Sequence, residues 1–337
     1  MLHQIAARTA LVLETNNLRG GGAAQAAEAS LEHVVGLLAA QTVPLASLAQ
    51  VVITHDGLSA ACRDELVRRA GCAVDFVQID PACGYYHAKN AGFAATIASR
   101  CDRVAFADTD CIPAPDWLAQ LLTPFLAERP PAVTVGRTSY AENVVGTALT
   151  TLDFMYFSSP SAPGATRNFY ANNVVFRRDV FELHSYQALD GVYRAHCQVL
   201  GLRLQEAGVS LHYVPLAHTI HRLPDTRFEA IKLRWMRGQD TVGLTPHLVR
   251  AYLPGHMQWL GRSGPLGPLC VLGARLWFSL RALNHQDLPP LRGVRWLGAV
   301  ALVGMFSGVD MLGALSRGLG WHSAGRRDTQ SLSYHRR

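Results

Sequence analysis

Short apolar runs alternate along this chain with longer stretches in which apolar residues recur every three or four positions. The runs TALVLE (9–14), VVIT (51–54), residues 74–79 and RVAFA (103–107) predict buried strands. Residues 23–41, 60–70, 86–99 and 115–127 predict helices, with Leu31, Val34, Val35 and Leu38 on one face of the first. Strand and helix alternate through short connections, the pattern of an α/β domain with a mostly parallel central sheet flanked by helices. Ligands of such sheets sit at the carboxyl ends of the strands. Glu14, Asp56 and the pair Asp108/Asp110 occupy those ends. The second half is less regular: residues 133–136, 173–176 and 210–214 predict strands, and residues 198–206 a helix stopped by Gly208.

Beyond Pro254 the character changes. Residues 265–283 are apolar but broken by Arg275 and Arg281, and residues 296–315 form a 20-residue run whose one charge is Asp310. That length suffices to span a bilayer as a helix. Four glycines and the aspartate argue instead for a segment lying at the interface, since charge in the hydrocarbon region is costly. A buried helical hairpin is the plain alternative. The expected division is a catalytic domain over 1–250, an apolar helical region over 251–325 associated with a membrane, and a flexible basic tail over 326–337.

Charge sharpens this division. The 337 residues carry a net +6, yet residues 222–337 hold 16 Lys and Arg against 6 Asp and Glu, so the surplus lies in the last third. Coinciding with the apolar runs, it points to an anionic membrane surface and not to nucleic acid. The seven cysteines include no CxxC pair, which speaks against a zinc knuckle or a disulfide framework and for reduced thiols. The N-terminus has no charged-then-apolar leader. The expected location is cytoplasmic, at the cytosolic face of the inner or plasma membrane.

The sharpest chemical signal is FADTDCIPAPDWL (106–118), in which a buried strand delivers Asp108 and Asp110 and prolines then turn the chain. Two hard oxygen donors at a strand end suit Mg²⁺ or Mn²⁺, which would neutralise a diphosphate leaving group. A solvated acidic turn is the bland reading of the same residues. With Glu14 and Asn17, Gln41 before VVITHDGLS, YHAKNAG (86–92) and FADTDCIPAPDWL in this order and spacing, the chain resembles the family 2 glycosyltransferases over about residues 9–240.

The resemblance implies a GT-A fold (that of nucleotide-diphospho-sugar transferases), a nucleotide-sugar donor with UDP or GDP, a divalent cation, and a saccharide or lipid-linked acceptor. It implies donor-binding roles for Glu14, Asp56, Lys89, Asn90, Asp108, Arg234 and Arg237. It makes Asn172 or Asn173 an acceptor contact, and Asp108, Asp110 and His221 the metal ligands, with His218 competing for the last place. Each has a plainer reading: Asp56 as an Asp-Gly turn, Lys89 as a surface lysine, the arginines as a basic helix facing headgroups.

The pattern breaks at one place. Inverting members carry an acidic pair just before a helix like LGLRLQEAG (200–208), and here that pair falls on His196-Cys197. The acceptor hydroxyl still needs a general base. His196, Asp190 from the loop upstream, or a degenerate protein that binds without catalysis remain open. Arg19-Gly20-Gly21-Gly22 keeps a nucleotidyltransferase as a further alternative.

Overall fold

The computed structural model describes residues 1–15, 24–80, 83–159, 163–189, 192, 194–224 and 226–320. After α1 (Leu2–Ala6), the first half runs β1 (Thr9–Glu14), α2 (Ala24–Ala39), β2 (Gln50–His55), α3 (Ala60–Ala70), β3 (Asp75–Gln78), α4 (Tyr85–Ala94), β4 (Arg103–Asp108). Then come β5 (Cys111–Pro113), α5 (Trp117–Leu122), β6 (Val133–Ser139), α6 (Val144–Asp153), β7 (Ala165–Thr166), β8 (Val174–Arg177), α7 (Arg178–Leu183), α8 (His196–Glu206) and β9 (Leu211–His221). Three helices close the described chain: α9 (Arg227–Tyr252), α10 (Leu266–Ala282) and α11 (Val294–Gly318).

The sheet order is β3-β2-β1-β4-β8-β6-β9-β5, with β7 beside β9. The expectation of a mostly parallel sheet holds for its first half, where β3, β2, β1 and β4 are all parallel. Beyond β4 the sheet is mixed: β8 runs antiparallel to both β4 and β6, β9 is parallel to β6, and β5 and β7 are antiparallel to β9. Side chains of β1 and β4 alternate between two cores. Val12, Val104 and Phe106 enter one; Leu11, Leu13, Ala105 and Ala107 enter the other, which is why these strands read as unbroken apolar runs.

Local chemistry sets the element ends. Ser59 caps α3 by accepting from Cys62 N–H, and Gly71 ends it in the left-handed conformation. The helix expected over 86–99 stops at Ala94, where the Thr96 hydroxyl takes the Phe93 carbonyl at 2.6 Å. Pro124 shortens α5, and a 3₁₀ turn, Thr123–Leu126, completes it. Strand β9 runs eleven residues, well past the expected 210–214, because its pairing with β6 shifts register between Gly136 and Arg137. A side chain at Gly136 would lie 2.3 Å from the Ala217 carbonyl oxygen, so only glycine permits this approach. The bulge carries β9 on to meet β5.

The C-terminal helices join the main body. Ala299, Val303 and Phe306 of α11 belong to the same core as Val12 and Phe106. Helices α9 and α11 touch backbone to backbone at Gly238 and Gly313. Asp310 faces inward, 2% exposed, against Arg234. The opposite face of α11 leaves Val294, Leu297, Met305, Leu312 and Leu315 exposed. Among the described residues, α11 is the helix long and apolar enough to cross a membrane. The expected tail over 326–337 lies outside the described residues.

Candidate active site

Parallel pairing places Glu14 of β1 directly beside Asp108 of β4. Three residues later the chain enters β5, whose antiparallel ladder with β9 sets Cys111 opposite His221. The order of strands therefore gathers Asp108, Asp110, Cys111 and His221 from two ends of the sequence. Asp108, Asp110 and His221 border a cavity of about 260 Å³, whose wall also includes Tyr85, Asn172 and Arg222. Its far wall is one face of α9: Leu233, Arg237, Asp240, Thr241, Leu244 and Leu248 recur at helical spacing.

The two aspartates differ in their surroundings. Asp108 is buried; its Oδ1 accepts from Lys89 Nζ at 2.5 Å and its Oδ2 from the Tyr85 hydroxyl at 2.5 Å. Burial lifts the Asp108 carboxyl above the usual carboxylate range, with Asp110 adding to the rise and Lys89 opposing it. Asp110 faces His221, with Oδ2 to Nε2 at 3.1 Å. The His221 Nδ1 lies 2.8 Å from the Arg222 carbonyl oxygen, which can only accept, so the proton sits on Nδ1 and Nε2 is turned to Asp110. Burial works against the imidazolium, but Asp110 outweighs it and the His221 pKa is raised.

Ligand atoms of Asp110, Cys111 and His221 all lie within 4.8 Å of one another, a carboxylate, a thiol and an imidazole that fit a divalent cation. Burial, then Asp110 and Asp108, push the Cys111 thiol well up. Asp108, expected among the ligands, stands outside this trio with both oxygens engaged by α4.

The other expected residues divide. Asn172 lines the cavity and donates to Cys111 Sγ at 3.1 Å, while its Oδ1 accepts from the Thr138 hydroxyl. Arg237 also lines the cavity, paired with Asp153. Glu14 is buried at the tip of β1, and Asp56 follows β2 at the same sheet edge. Lys89, expected to meet donor phosphate, is fully buried beneath Tyr85 and holds Asp108. Asn90 clamps the backbone of Tyr186 by two hydrogen bonds.

Asn173 is fully buried, bonded to Trp117 Nε1 and to the Arg137 and Ala217 carbonyls. Arg234 is 2% exposed and spends its guanidinium on Asp153 and Asp310. His218 bonds the Ser139 hydroxyl at 2.7 Å.

His196 stacks on Tyr86 with ring centroids 4.4 Å apart; Tyr86 lines the cavity, as do Ala195 and Cys197, whereas His196 is not among the described lining residues. Burial, then His87, depress its pKa to about 4. Asp190, Asn17 and residues 19–22 lie outside the described residues.

Tyr85, Asp153, Arg222 and Asp240 line the cavity and Cys111 belongs to the trio, although local sequence does not single them out. Arg222 and Cys111 each adjoin a residue it did select. Asp153 and Asp240 sit in helices whose packing no local pattern reveals. Ala195, entering α8 at φ +66°, is the described non-glycine residue in left-handed backbone, a strained position on the cavity wall.

Residues 47–184 match the model described as "Glycosyl transferase family 2". No curated protein matches the sequence. Among solved structures, the mannosyltransferase PcManGT from Pyrobaculum calidifontis, in complex with GDP-Man and Mn²⁺, is similar at TM-score 0.53 and 17% identity, over 97% of this chain and 84% of that one. GalNAc-T7 with UDP, GalNAc and Mn²⁺ aligns at TM-score 0.48 and 16% identity, over 64% of this chain and 43% of that one. The first likeness supports the GT-A fold.

Proposed function

From the premise that residues 47–184 class this chain with the family 2 glycosyltransferases on a GT-A fold, we propose that it transfers a sugar from a UDP- or GDP-sugar to a saccharide or lipid-linked acceptor. The observation that carries this reading is the pairing of Asp110 with His221 on the cavity wall, from strands far apart in sequence. Asp110 and His221 would hold Mn²⁺ or a similar divalent cation, which supplies Lewis-acid neutralisation of a diphosphate leaving group. Arg222 and Arg237 line the same cavity and offer guanidinium donors to phosphate oxygens. Lys89 and Tyr85 fix Asp108, the strand-tip carboxylate on the cavity wall. Phe154, Leu223, Leu233, Leu244 and Leu248 give the wall an apolar part, which suits an acceptor with a hydrocarbon part.

The acceptor hydroxyl must lose its proton as it attacks the anomeric carbon, and we assign that proton to Asp240. Asp240 is buried on the α9 wall. His196, the histidine at the place of the missing acidic pair, stacks on Tyr86 and is not among the described residues lining the cavity. The assay is Mn²⁺-dependent release of UDP or GDP from a panel of nucleotide-sugars. Wild type releases one of them. Asp110→Asn abolishes release, and Asp240→Asn slows transfer to acceptor by about 10²-fold or more. No release with any donor would favour the binding-only alternative raised by His196-Cys197.

The exposed apolar face of α11 we place against a membrane surface, with basic residues such as Arg295 and Arg317 available to anionic headgroups. Asp310 argues against a bare span, because it is turned into the protein with Arg234. Wild type should co-sediment with anionic vesicles, and Leu297→Ser with Met305→Ser and Leu312→Ser should release it with its circular dichroism unchanged. Undiminished binding by that variant would refute the assignment.

A further inference from the structure

The sulfur of Cys111 is placed as a ligand would be. In an antiparallel ladder, directly opposed residues project to the same face of the sheet. Cys111 and His221 are such a pair, so the thiol and the imidazole leave β5 and β9 side by side. Asp110 precedes Cys111, and the Asp110 Oδ1 lies 3.4 Å from Cys111 Sγ. The three ligand atoms are mutually within 4.8 Å, close enough to be drawn onto one ion. The Asn172 side-chain N–H points at the same sulfur from 3.1 Å, the contact that orients a metal-bound thiolate. At 3% exposure the sulfur faces neither bulk water nor another cysteine, and no disulfide competes for it.

We propose that Cys111 is the third protein ligand of the Asp110–His221 cation site, and that its sulfur makes this site select a thiophilic borderline cation of the Zn²⁺ or Co²⁺ kind over Mg²⁺. The inference rests on the cation reading of the proposed function and names the chemistry of the ion. Carboxylate, imidazole and thiolate together form a mixed O, N, S set, which favours zinc and cobalt, whereas Mg²⁺ demands oxygen. On binding, the S–H bond breaks, the proton passes to the buffer, and a metal–sulfur bond forms with no change of oxidation state. Asn172 then donates to the thiolate, which gives this asparagine a role at the cation as well as on the cavity wall.

The test is titration of the full chain with Co²⁺, followed by near-ultraviolet absorption and by proton release into weakly buffered solution. Wild type should show a thiolate-to-cobalt charge-transfer band and release a proton per ion bound, and Zn²⁺ should displace the cobalt. Cys111→Ser, which keeps a polar atom in place, should lose the band and bind Co²⁺ on the order of tenfold more weakly or worse. Should the variant fold poorly, zinc X-ray absorption on wild type alone answers the question, with a sulfur neighbour near ~2.3 Å expected. Cobalt binding without the band, or a zinc shell of nitrogen and oxygen only, overturns the role of Cys111 while leaving the Asp110–His221 site standing. Failure of Co²⁺, Zn²⁺ and Mn²⁺ all to bind overturns the inference together with the reading it rests on.

Discussion

Replacing Asp310 by Asn tests whether α11 is bolted to the core by charge. Arg234 donates through Nε to Asp310 Oδ1 at 2.9 Å and through Nη2 to Oδ2, while its Nη1 meets Asp153 at 2.5 Å. The three side chains are only 2–3% exposed, so water cannot replace a lost partner. Breaking one side of a buried pair costs about 3–5 kcal/mol, because the other charge stays buried. Asn keeps a carbonyl acceptor and Arg234 keeps Asp153, which sets the loss near the lower end, about 3 kcal/mol. At about 2–4 °C per kcal/mol for larger domains, the thermal midpoint read by circular dichroism should fall by roughly 6–12 °C. A double-mutant cycle with Arg234→Met and Asp310→Leu should show the pair less damaging than the sum of its parts, by about 2 kcal/mol. Strict additivity, or a midpoint unchanged in Asp310→Asn, would refute the reasoning.

Two further outcomes follow from burial and close packing. His196 and His218 each have a native pKa near 4, set first by burial, with His87 and Arg137 respectively adding to the fall. The unfolded chain, with histidines near about 6.5, binds more protons in between, so the stability is whole above that value and is lost as pH drops toward 4. His196→Phe, which keeps the ring stack on Tyr86 but cannot titrate, should flatten that loss in denaturant melts taken across the window; an unchanged slope would count against it. Gly313→Ala would set a methyl 2.1 Å from the Trp235 carbonyl oxygen and should cost about 1–3 kcal/mol, whereas Gly304→Ala meets nothing within 4 Å and should stabilise by about 0.5–1 kcal/mol. Thermal melts showing equal effects at the two sites would contradict the observed α9–α11 contact.

What could be read in the sequence was what short-range physics controls. Strands β1, β2 and β4 announce themselves because both of their faces are buried, and the acidic residues at their ends stand out against apolar runs. The α/β alternation therefore gave the site its address. Partners across the fold were hidden. Nothing near Lys89 says that its ammonium will be buried on Asp108, and nothing near Asp310 says that the apparent flaw in an apolar run is the counter-ion of Arg234. The same blindness made Arg234 look like a phosphate contact and Asn173 like an acceptor contact. Their polar atoms are committed inside the protein by residues distant in sequence. Cys111 was overlooked because its meaning depends on the β5–β9 register, which the irregular β6–β9 pairing between Val214 and His218 makes possible.

The account stands or falls on a cation held at the tips of β4 and β9, and anomalous diffraction from crystals soaked with Mn²⁺ and a nucleoside diphosphate addresses it directly. A manganese peak between the Asp110 carboxylate and His221 Nε2, with diphosphate density on the side of Arg222, is the predicted result. Ordered nucleotide with no anomalous signal at that position, or manganese bound elsewhere while Asp110 and His221 keep their 3.1 Å contact, would contradict it.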